Sequence, residues 1–166
     1  MDSRSRAAAA IAPAATASAA QCVLESTRAA QHAHCLFCGG ENPLGFKLDF
    51  QVRDDGSVRA SFPCGELFQS YPGMIHGGVI AALLDAAMTN CLFSKGVSAV
   101  TGQLSVRFLQ PVNVESAAEI TAFLVRKRGR VHLLGAEITQ NRAVVARASA
   151  TFVENSARPE RPRTAG

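Results

Sequence analysis

The chain has 166 residues, enough for one compact core and too few for two comfortable domains. Hydrophobic residues make up 48% and charged residues 18%, which is the balance of a globular protein and excludes a disordered or fibrous chain. The net charge of +4 suits a polyanionic ligand of any kind, but nine Phe with one Tyr and no Trp offer little stacking surface, so we expect no nucleic-acid partner.

Both ends of the chain have the composition of tails. Residues 1–30 are rich in Ala, and the apolar stretch within them has Ile11 as its one strong hydrophobe and is broken by Pro13. This composition predicts a disordered tail in preference to a targeting peptide. Residues 155–166 are rich in Pro and Arg without periodicity, which predicts a second disordered tail. One domain over residues 31–154 is expected between them.

The first predicted elements are two strands and a helix. Apolar residues alternate or cluster over residues 46–52 and 57–62 around the turn signal Asp54-Asp55-Gly56, which predicts a hairpin. Residues 77 to about 93 are dominated by Ala, Leu and Met and lack strand alternation. This segment predicts a helix that is apolar on nearly every side and therefore buried.

Four more strands with period-two patterning follow, over residues 99–109, 117–126, 131–139 and 144–153. This order of elements predicts an α+β domain in which a curved antiparallel sheet of about six strands wraps one long central helix. Because one side of one sheet cannot cover so apolar a helix, we expect a homodimer, with a dimer of dimers left open. No apolar run reaches the length of a membrane span, because Asp85 interrupts the longest one.

Asp85 is the one charged residue in the apolar run of residues 79–88. A carboxylate in such surroundings is costly unless it is paired or used. Either it surfaces at a seam as a structural anchor, or it is a functional acid, which we favour. Thr89 lies one helical turn further on the same face and Asn90 lies beside it, so a polar stripe is expected to line a pocket.

The sequence His76-Gly77-Gly78 runs into the predicted start of the helix. Two glycines there let a ligand approach closely, and free N–H groups at a positive helix end favour an anion. In acyl transfer these groups would stabilise the oxyanion that grows on a thioester carbonyl. The alternative is a tight loop in which His76 only caps the helix or packs against it.

These motifs together resemble a known family. His76-Gly77-Gly78, the Asp85 that follows, and the segment of residues 102–112 are similar to the phenylacetate-pathway (PaaI) branch of the hotdog-fold thioesterases, over about residues 35–153. The resemblance implies a hotdog fold, a dimer whose active sites lie between two subunits, and acyl-CoA as the partner. It implies that Asp85 is the nucleophile or the general base for water and that the Gly77 N–H forms the oxyanion hole.

The resemblance also assigns supporting roles. It implies that His76 orients the glycine loop, and Thr101 falls where some relatives place a hydroxyl residue that positions the attacking water. Some members carry Asn where this chain has Ser70, so that Ser70 departs from their pattern. The residues assigned to substrate binding are Ser70, Gly78, Thr89, Arg107, Arg128, Gly129 and Arg130.

Residues 126–130 place four cations in five positions of a predicted hairpin turn. Many relatives carry basic residues and Gly at this point. These cations, with Arg107 as a second candidate, are expected to pair with the phosphates of CoA. Taken alone, the run would be read as a solvated turn.

His32, His34, Cys35 and Cys38 have ligand types and a spacing that a zinc site could use. There is no second Cys-x-x-Cys, and the same pattern recurs in this branch of the family without implying metal. We therefore expect reduced thiols that pack a loop, no metal and no redox cofactor. The five cysteines are odd in number and irregularly spaced, which favours a reducing, cytoplasmic compartment.

The sequence thus predicts an acyl-CoA thioesterase that releases CoA and a carboxylic acid. A hotdog hydratase or dehydratase and an acyl-CoA binding protein without turnover are the alternatives. The acyl group, CoA against acyl carrier protein as the carrier, and the nucleophilic against the general-base role of Asp85 stay open.

Overall fold

A single antiparallel sheet of six strands organises the computed structural model, which describes residues 13–155. In chain order the elements are α1 (Pro13–His32), β1 (Gln51–Val52), β2 (Val58–Phe62), α2 (Gly77–Phe93), β3 (Ala99–Phe108), β4 (Ala118–Arg128), β5 (Val131–Gln140) and β6 (Ala143–Glu154). The order across the sheet is β1-β2-β4-β5-β6-β3, so β1 and β3 form its edges. The predicted α+β class and antiparallel sheet are confirmed.

Helix α2 fills the core, as its composition predicts. Leu83, Leu84, Ala87 and Met88 are at most 1% exposed, and the helix packs against β4, β5, β6, β3 and β2. The sheet contributes large side chains to the same core, all at most 1% exposed: Phe62, Ile120, Leu134, Ile138 and Phe152. Burying a Leu or Phe side chain contributes about 1.5–3 kcal/mol, so this one interface supplies much of the stability of the fold. Among the described residues, neither helix is long and apolar enough to cross a membrane.

Helix α1 corrects the predicted N-terminal tail. Its residues Pro13–His32 are helical, although they were expected to be disordered up to residue 30. Leu24 is fully buried in the core, and the Gln21 amide donates to the Phe50 carbonyl at 3.2 Å and accepts from the Val52 N–H at 2.8 Å. Ala favours helix, and one anchored face is enough to fix its position. The predicted tails over residues 1–12 and 156–166 lie outside the described residues.

Strand β1 is much shorter than predicted. Residues 46–50 are not in a strand, because Lys47 has a φ of 54° and turns the chain out of extended conformation. The N–H groups of Phe46 and Leu48 bond instead to the carbonyls of Leu36 and Phe37, at 2.7 and 2.8 Å. The predicted hairpin survives with only two residue pairs. The other predicted strands differ from the observed ones by a few residues at their ends.

Candidate active site

The first turn of α2 contains one backbone N–H group without a hydrogen-bond partner among the described residues. The His76 N–H donates to the Phe68 carbonyl at 2.7 Å, and the His76 ring caps the helix by accepting from the Gly78 N–H at its Nδ1, at 2.8 Å. The Val79 N–H donates to the His76 carbonyl. The Gly77 N–H has no hydrogen-bond partner among residues 13–155. It is therefore the free donor of this loop, whereas the Gly78 N–H is already satisfied.

An open groove of about 360 Å³ adjoins Gly77. Ser70, Ile80 and Phe108 are among the residues that line it, so the structure places Ser70 on the same surface as the free N–H. Tyr71 also lines the groove and is 72% exposed, a position that sequence reasoning missed because nothing in the local pattern marks it. The groove is wide enough for an extended organic chain.

Asp85 is half-buried and oriented by Thr101. The Thr101 hydroxyl donates to Asp85 Oδ1 at 2.7 Å, the distance of a charge-assisted hydrogen bond. The pairing of β3 with β6 shifts register between Thr101 and Gln103, so Gly102 is the extra residue of a bulge. Such a bulge re-aims a neighbouring side chain, here the Thr101 hydroxyl toward α2. Thr101, which the resemblance assigned to positioning the attacking water, thus contacts Asp85 directly.

A smaller cavity of about 90 Å³ is lined in part by Asp85. Its walls are His32, Cys35, Phe37, Cys38, Ala82, Asp85, Ala86, Thr89 and Asn90. Thr89 is buried and its hydroxyl donates to the Asp85 main-chain carbonyl at 3.0 Å, so it lines this cavity rather than an open stripe. Burial lowers the pKa of His32, and the Asp85 carboxylate partly offsets this effect. Burial raises the pKa of the Cys38 thiol to about 11.

Some of the cations in the basic turn between β4 and β5, residues 126–130, are already bonded to other residues. Gly129 has a φ of 58°, which its lack of a side chain allows. Lys127 pairs with the Glu154 carboxylate at 3.0 Å, and Arg130 donates to the Glu154 carbonyl at 2.7 Å. Arg128 is exposed and has no partner within residues 13–155, so its guanidinium is free for an anion.

The site residues predicted from sequence form two groups in one chain. The basic turn contacts Glu154 at the end of β6. Glu154 pairs in the sheet with Ala99, which lies two residues before Thr101 on β3. The basic turn is therefore at the same end of the sheet as Thr101 and Asp85. Arg107 lies at the opposite end of β3, directly before Phe108, whose ring faces Gly77. Because successive residues of a strand face opposite sides of the sheet, the Arg107 side chain does not line the groove at Gly77, and the structure does not bring it to either group. We call the first group (Asp85, Thr101 and the basic turn) the acid half-site, and the second (Gly77 and Ser70) the amide half-site.

Comparison with known proteins identifies the family. The model of the acyl-CoA thioesterase N-terminal domain matches residues 69–153, which contain both half-sites. The chain belongs to this family. The matched segment runs from just before the glycine loop to the end of β6, and it excludes α1 and the loop with Cys35 and Cys38.

Curated relatives and solved structures agree with that assignment. Acyl-coenzyme A thioesterase THEM4 from Bos taurus is 31% identical over 101 residues, 60% of this chain and 41% of the relative. THEM4 from Rattus norvegicus is 28% identical over 127 residues, 75% of this chain and 54% of the relative. The chain thus spans about half the length of the curated relatives that it matches.

Three solved structures illustrate the fold. A thioesterase superfamily protein has a TM-score of 0.69 and 30% identity, covering 73% of this chain and 60% of its own. The E. coli PaaI protein has a TM-score of 0.70 at 17% identity, covering 85% and 96%. A Streptococcus mutans UA159 protein bound to acetyl CoA has a TM-score of 0.61 at 25% identity, covering 65% and 88%. The resemblance to hotdog-fold, PaaI-like thioesterases is confirmed.

Proposed function

We propose that this chain hydrolyses acyl-CoA thioesters, with Asp85 as the general base or nucleophile and the Gly77 N–H as the oxyanion donor. The observation that carries the proposal is the Thr101–Asp85 hydrogen bond of 2.7 Å on an otherwise apolar helix. A carboxylate fixed in this way has one oxygen committed to a hydroxyl and the other available for a proton or a carbonyl carbon. Family membership supports the same reaction.

Two copies of the chain are needed to complete the site. Gly77 and Asp85 lie eight residues apart on α2, about 12 Å along the helix axis. An acid and an N–H donor that act on one thioester carbonyl must both face the same cleft. The groove at Gly77 and the cavity at Asp85 share no residue. One copy therefore supplies the acid half-site and its partner the amide half-site.

Strand β3 is the surface that we propose for this pairing. It is an edge of the sheet, and most of its residues are exposed. Val100 and Phe108 are 57% and 54% exposed on it, and Leu109 beyond its end is 44% exposed. Exposed apolar side chains along an unpaired strand mark an interaction surface. Phe108 also lies against Gly77, so pairing at β3 brings the amide half-site to the interface.

The reaction then follows from the two half-sites. Water, deprotonated by Asp85, or the Asp85 carboxylate itself attacks the thioester carbonyl carbon, and the tetrahedral oxyanion bonds to the Gly77 N–H. Collapse of the intermediate breaks the carbon–sulfur bond. The thiolate of CoA takes up a proton and leaves as the thiol. On the general-base route the acyl group leaves directly as a carboxylic acid. On the nucleophilic route it is first joined to Asp85 as an anhydride, which a water molecule then hydrolyses.

CoA is the thiol carrier that the charges favour. Arg128 is exposed without a partner in the described part of the chain and stands at the end of the sheet that carries the acid half-site. Arginine binds phosphate oxygens in bidentate fashion. The similar Streptococcus mutans protein binds acetyl CoA, which supports the same carrier here.

The first experiment follows free thiol from a panel of acyl-CoA and acyl-carrier-protein thioesters. We expect the wild type to release thiol and Asp85→Asn to lose most of kcat while it keeps its fold and its affinity for acyl-CoA. An unchanged kcat for Asp85→Asn would remove Asp85 from the mechanism. A change in enoyl absorbance without thiol release would show a hydratase, and binding without either signal would show a carrier or sensor.

A second experiment tests the shared site with Gly77→Pro. Proline has no N–H and is favoured at the first position of a helix, and His76 before it has the extended φ of −60° and ψ of 132° that proline requires. A Cβ atom added at Gly77 would come no closer than 3.5 Å to the Phe108 ring, an ordinary van der Waals contact. The variant should fold and lose turnover.

Mixing the two inactive variants then decides the arrangement. A mixed dimer of Asp85→Asn and Gly77→Pro has one site with both lesions and one intact site. Refolding the variants together in equal amounts should therefore restore about a quarter of wild-type activity. Recovery of no activity, with mixed dimers shown by mass spectrometry, would place both groups in one chain.

A further inference from the structure

Three side chains of types that bind metal ions line the Asp85 cavity from the α1 side. His32 ends α1, and Cys35 and Cys38 follow in the next turns. The His32 Nδ1 and Cys38 Sγ atoms lie 3.9 Å apart, and the ligand atoms of all three residues lie within 4.8 Å of one another. The sequence suggested reduced thiols that pack a loop, whereas the structure places them against α2 beside Asp85.

These separations are close to those of a tetrahedral zinc site. Bond lengths of about 2.3 Å to sulfur and 2.0 Å to nitrogen put two sulfurs about 3.8 Å apart and a sulfur and a nitrogen about 3.5 Å apart. The observed His32–Cys38 separation of 3.9 Å is within a few tenths of an ångström of that value. The other separations are at most 4.8 Å, up to about 1 Å longer than in such a site, so metal binding requires the side chains to rotate toward the ion.

The surrounding chain holds the three ligands in place. The Cys35 N–H donates to the His32 carbonyl, and the Gly39 N–H donates to the Cys35 carbonyl, both at 3.0 Å. A side chain at Gly39 would come within 2.4 to 2.7 Å of backbone atoms of Ala33 and Cys35, so the turn is tightly wound. The His32 ring stands edge-on to Phe93, with centroids 4.9 Å apart. Preorganised ligands lose little freedom on binding a cation.

Asn90 gives an independent sign of a ligand in the same cavity. Its side chain is fully buried, and its Nδ2 donates to the Ala86 carbonyl at 2.8 Å. Its Oδ1 has no hydrogen-bond partner among the described residues, although Asn90 lines the cavity with His32, Cys35 and Cys38. A buried acceptor without a partner is costly and calls for a donor in the cavity.

We propose that His32, Cys35 and Cys38 bind a Zn²⁺ ion whose fourth position opens into the Asp85 cavity. A water on the ion donates to Asn90 Oδ1, which satisfies that acceptor. Two thiolates and an imidazole favour Zn²⁺ over Mg²⁺ and Ca²⁺, which prefer oxygen ligands. Through this water the ion links the end of α1 and its following loop to the C-terminal part of α2, so it fixes one wall of the cavity. This inference does not depend on thioester hydrolysis.

Metal binding can be measured on the reduced, chelator-stripped full chain without any substrate. We expect one Zn²⁺ per chain in competition with a chromogenic chelator. Co²⁺ in its place should give the visible bands of a tetrahedral ion and a near-ultraviolet band from thiolate ligands. Saturating Zn²⁺ should raise Tm by about 5 °C or more.

Matched cysteine variants locate the site. Cys35→Ser and Cys38→Ser should each lose stoichiometric binding and the thiolate band. Cys22→Ser removes an exposed cysteine on α1, and Cys64→Ser one outside the cavity, so both should bind as the wild type does. His32→Phe keeps an aromatic ring beside Phe93 and should also lose binding.

Three results would overturn the proposal. The first is absence of Co²⁺ binding by a wild type whose five thiols are titrated as free. The second is binding that survives both Cys35→Ser and Cys38→Ser. The third is a wild-type cobalt spectrum without a thiolate band, which decides the matter even where Cys38→Ser, at a buried position, does not fold.

Discussion

Replacing Thr101 by Val tests how Asp85 is held. The change keeps the β-branched shape and removes only the hydroxyl that donates to Asp85 Oδ1 at 2.7 Å. Hydrogen bonds to charged groups contribute about 1.5–3 kcal/mol. Because Thr101 is exposed in the single chain, water replaces part of this, and about 1.5–2 kcal/mol remains. At about 1.4 kcal/mol for each factor of ten, kcat should fall about 10-fold to 30-fold.

The assay is thiol release at saturating acyl-CoA, with Thr101→Ser as the control that restores the donor. Thr101→Ser should keep kcat within a few-fold of the wild type, and KM should change little in both variants. Tm should stay close to that of the wild type, since the hydroxyl is not part of the buried core. A Thr101→Val enzyme with wild-type kcat, or a Thr101→Ser enzyme as slow as Thr101→Val, would refute the orienting role.

Three further predictions concern stability. Gly39→Ala should lower the free energy of unfolding in urea by about 1–3 kcal/mol, because its side chain would strike backbone 2.4 Å away, whereas Gly40→Ala, with nothing within 4 Å, should not. Gln140→Leu should cost about 3 kcal/mol in the same assay, because this buried amide accepts one hydrogen bond from loop backbone and donates two to it, and all three are lost. The hydrogen bond with His132, and then Lys127, lower the pKa of Glu154 below its usual value of 4.5. The Glu154 carboxylate therefore stabilises the fold above pH 4.5, and this effect is lost as the pH falls below it. Glu154→Gln should flatten the pH dependence of the unfolding free energy in this range, and an unaltered slope would contradict the prediction.

Local patterns predicted most of the sheet and α2. Period-two alternation and turn residues such as Gly129 act over a few neighbouring residues, so β4, β5 and β6 could be placed to within a few positions. The apolar circumference of α2 gave its bounds and its burial in the same way. Asp85 stood out for the same reason, since a charge in such a run needs an explanation.

What the sequence missed depends on contacts between distant segments. Helix α1 is held by Leu24 and by Gln21, which reaches the backbone near β1 about 30 residues later, and no local signal records that contact. The positive φ of Lys47, a residue that rarely adopts it, shortened β1. The metal-ligand types were visible as a spacing, but only the packing of α1 on α2 brings His32 and Cys38 to Asp85.

The two edges of the sheet differ in a way that limits how copies can assemble. At the β1 edge, the Gln21 amide imitates a neighbouring strand, because it bonds to both the Phe50 carbonyl and the Val52 N–H. That edge is two residues long and already partly occupied, whereas the β3 edge is ten residues long and uncovered within residues 13–155. If copies pair through the β3 edge, as proposed above, each chain uses its one available edge, and strand addition closes at two chains rather than continuing into a fibre.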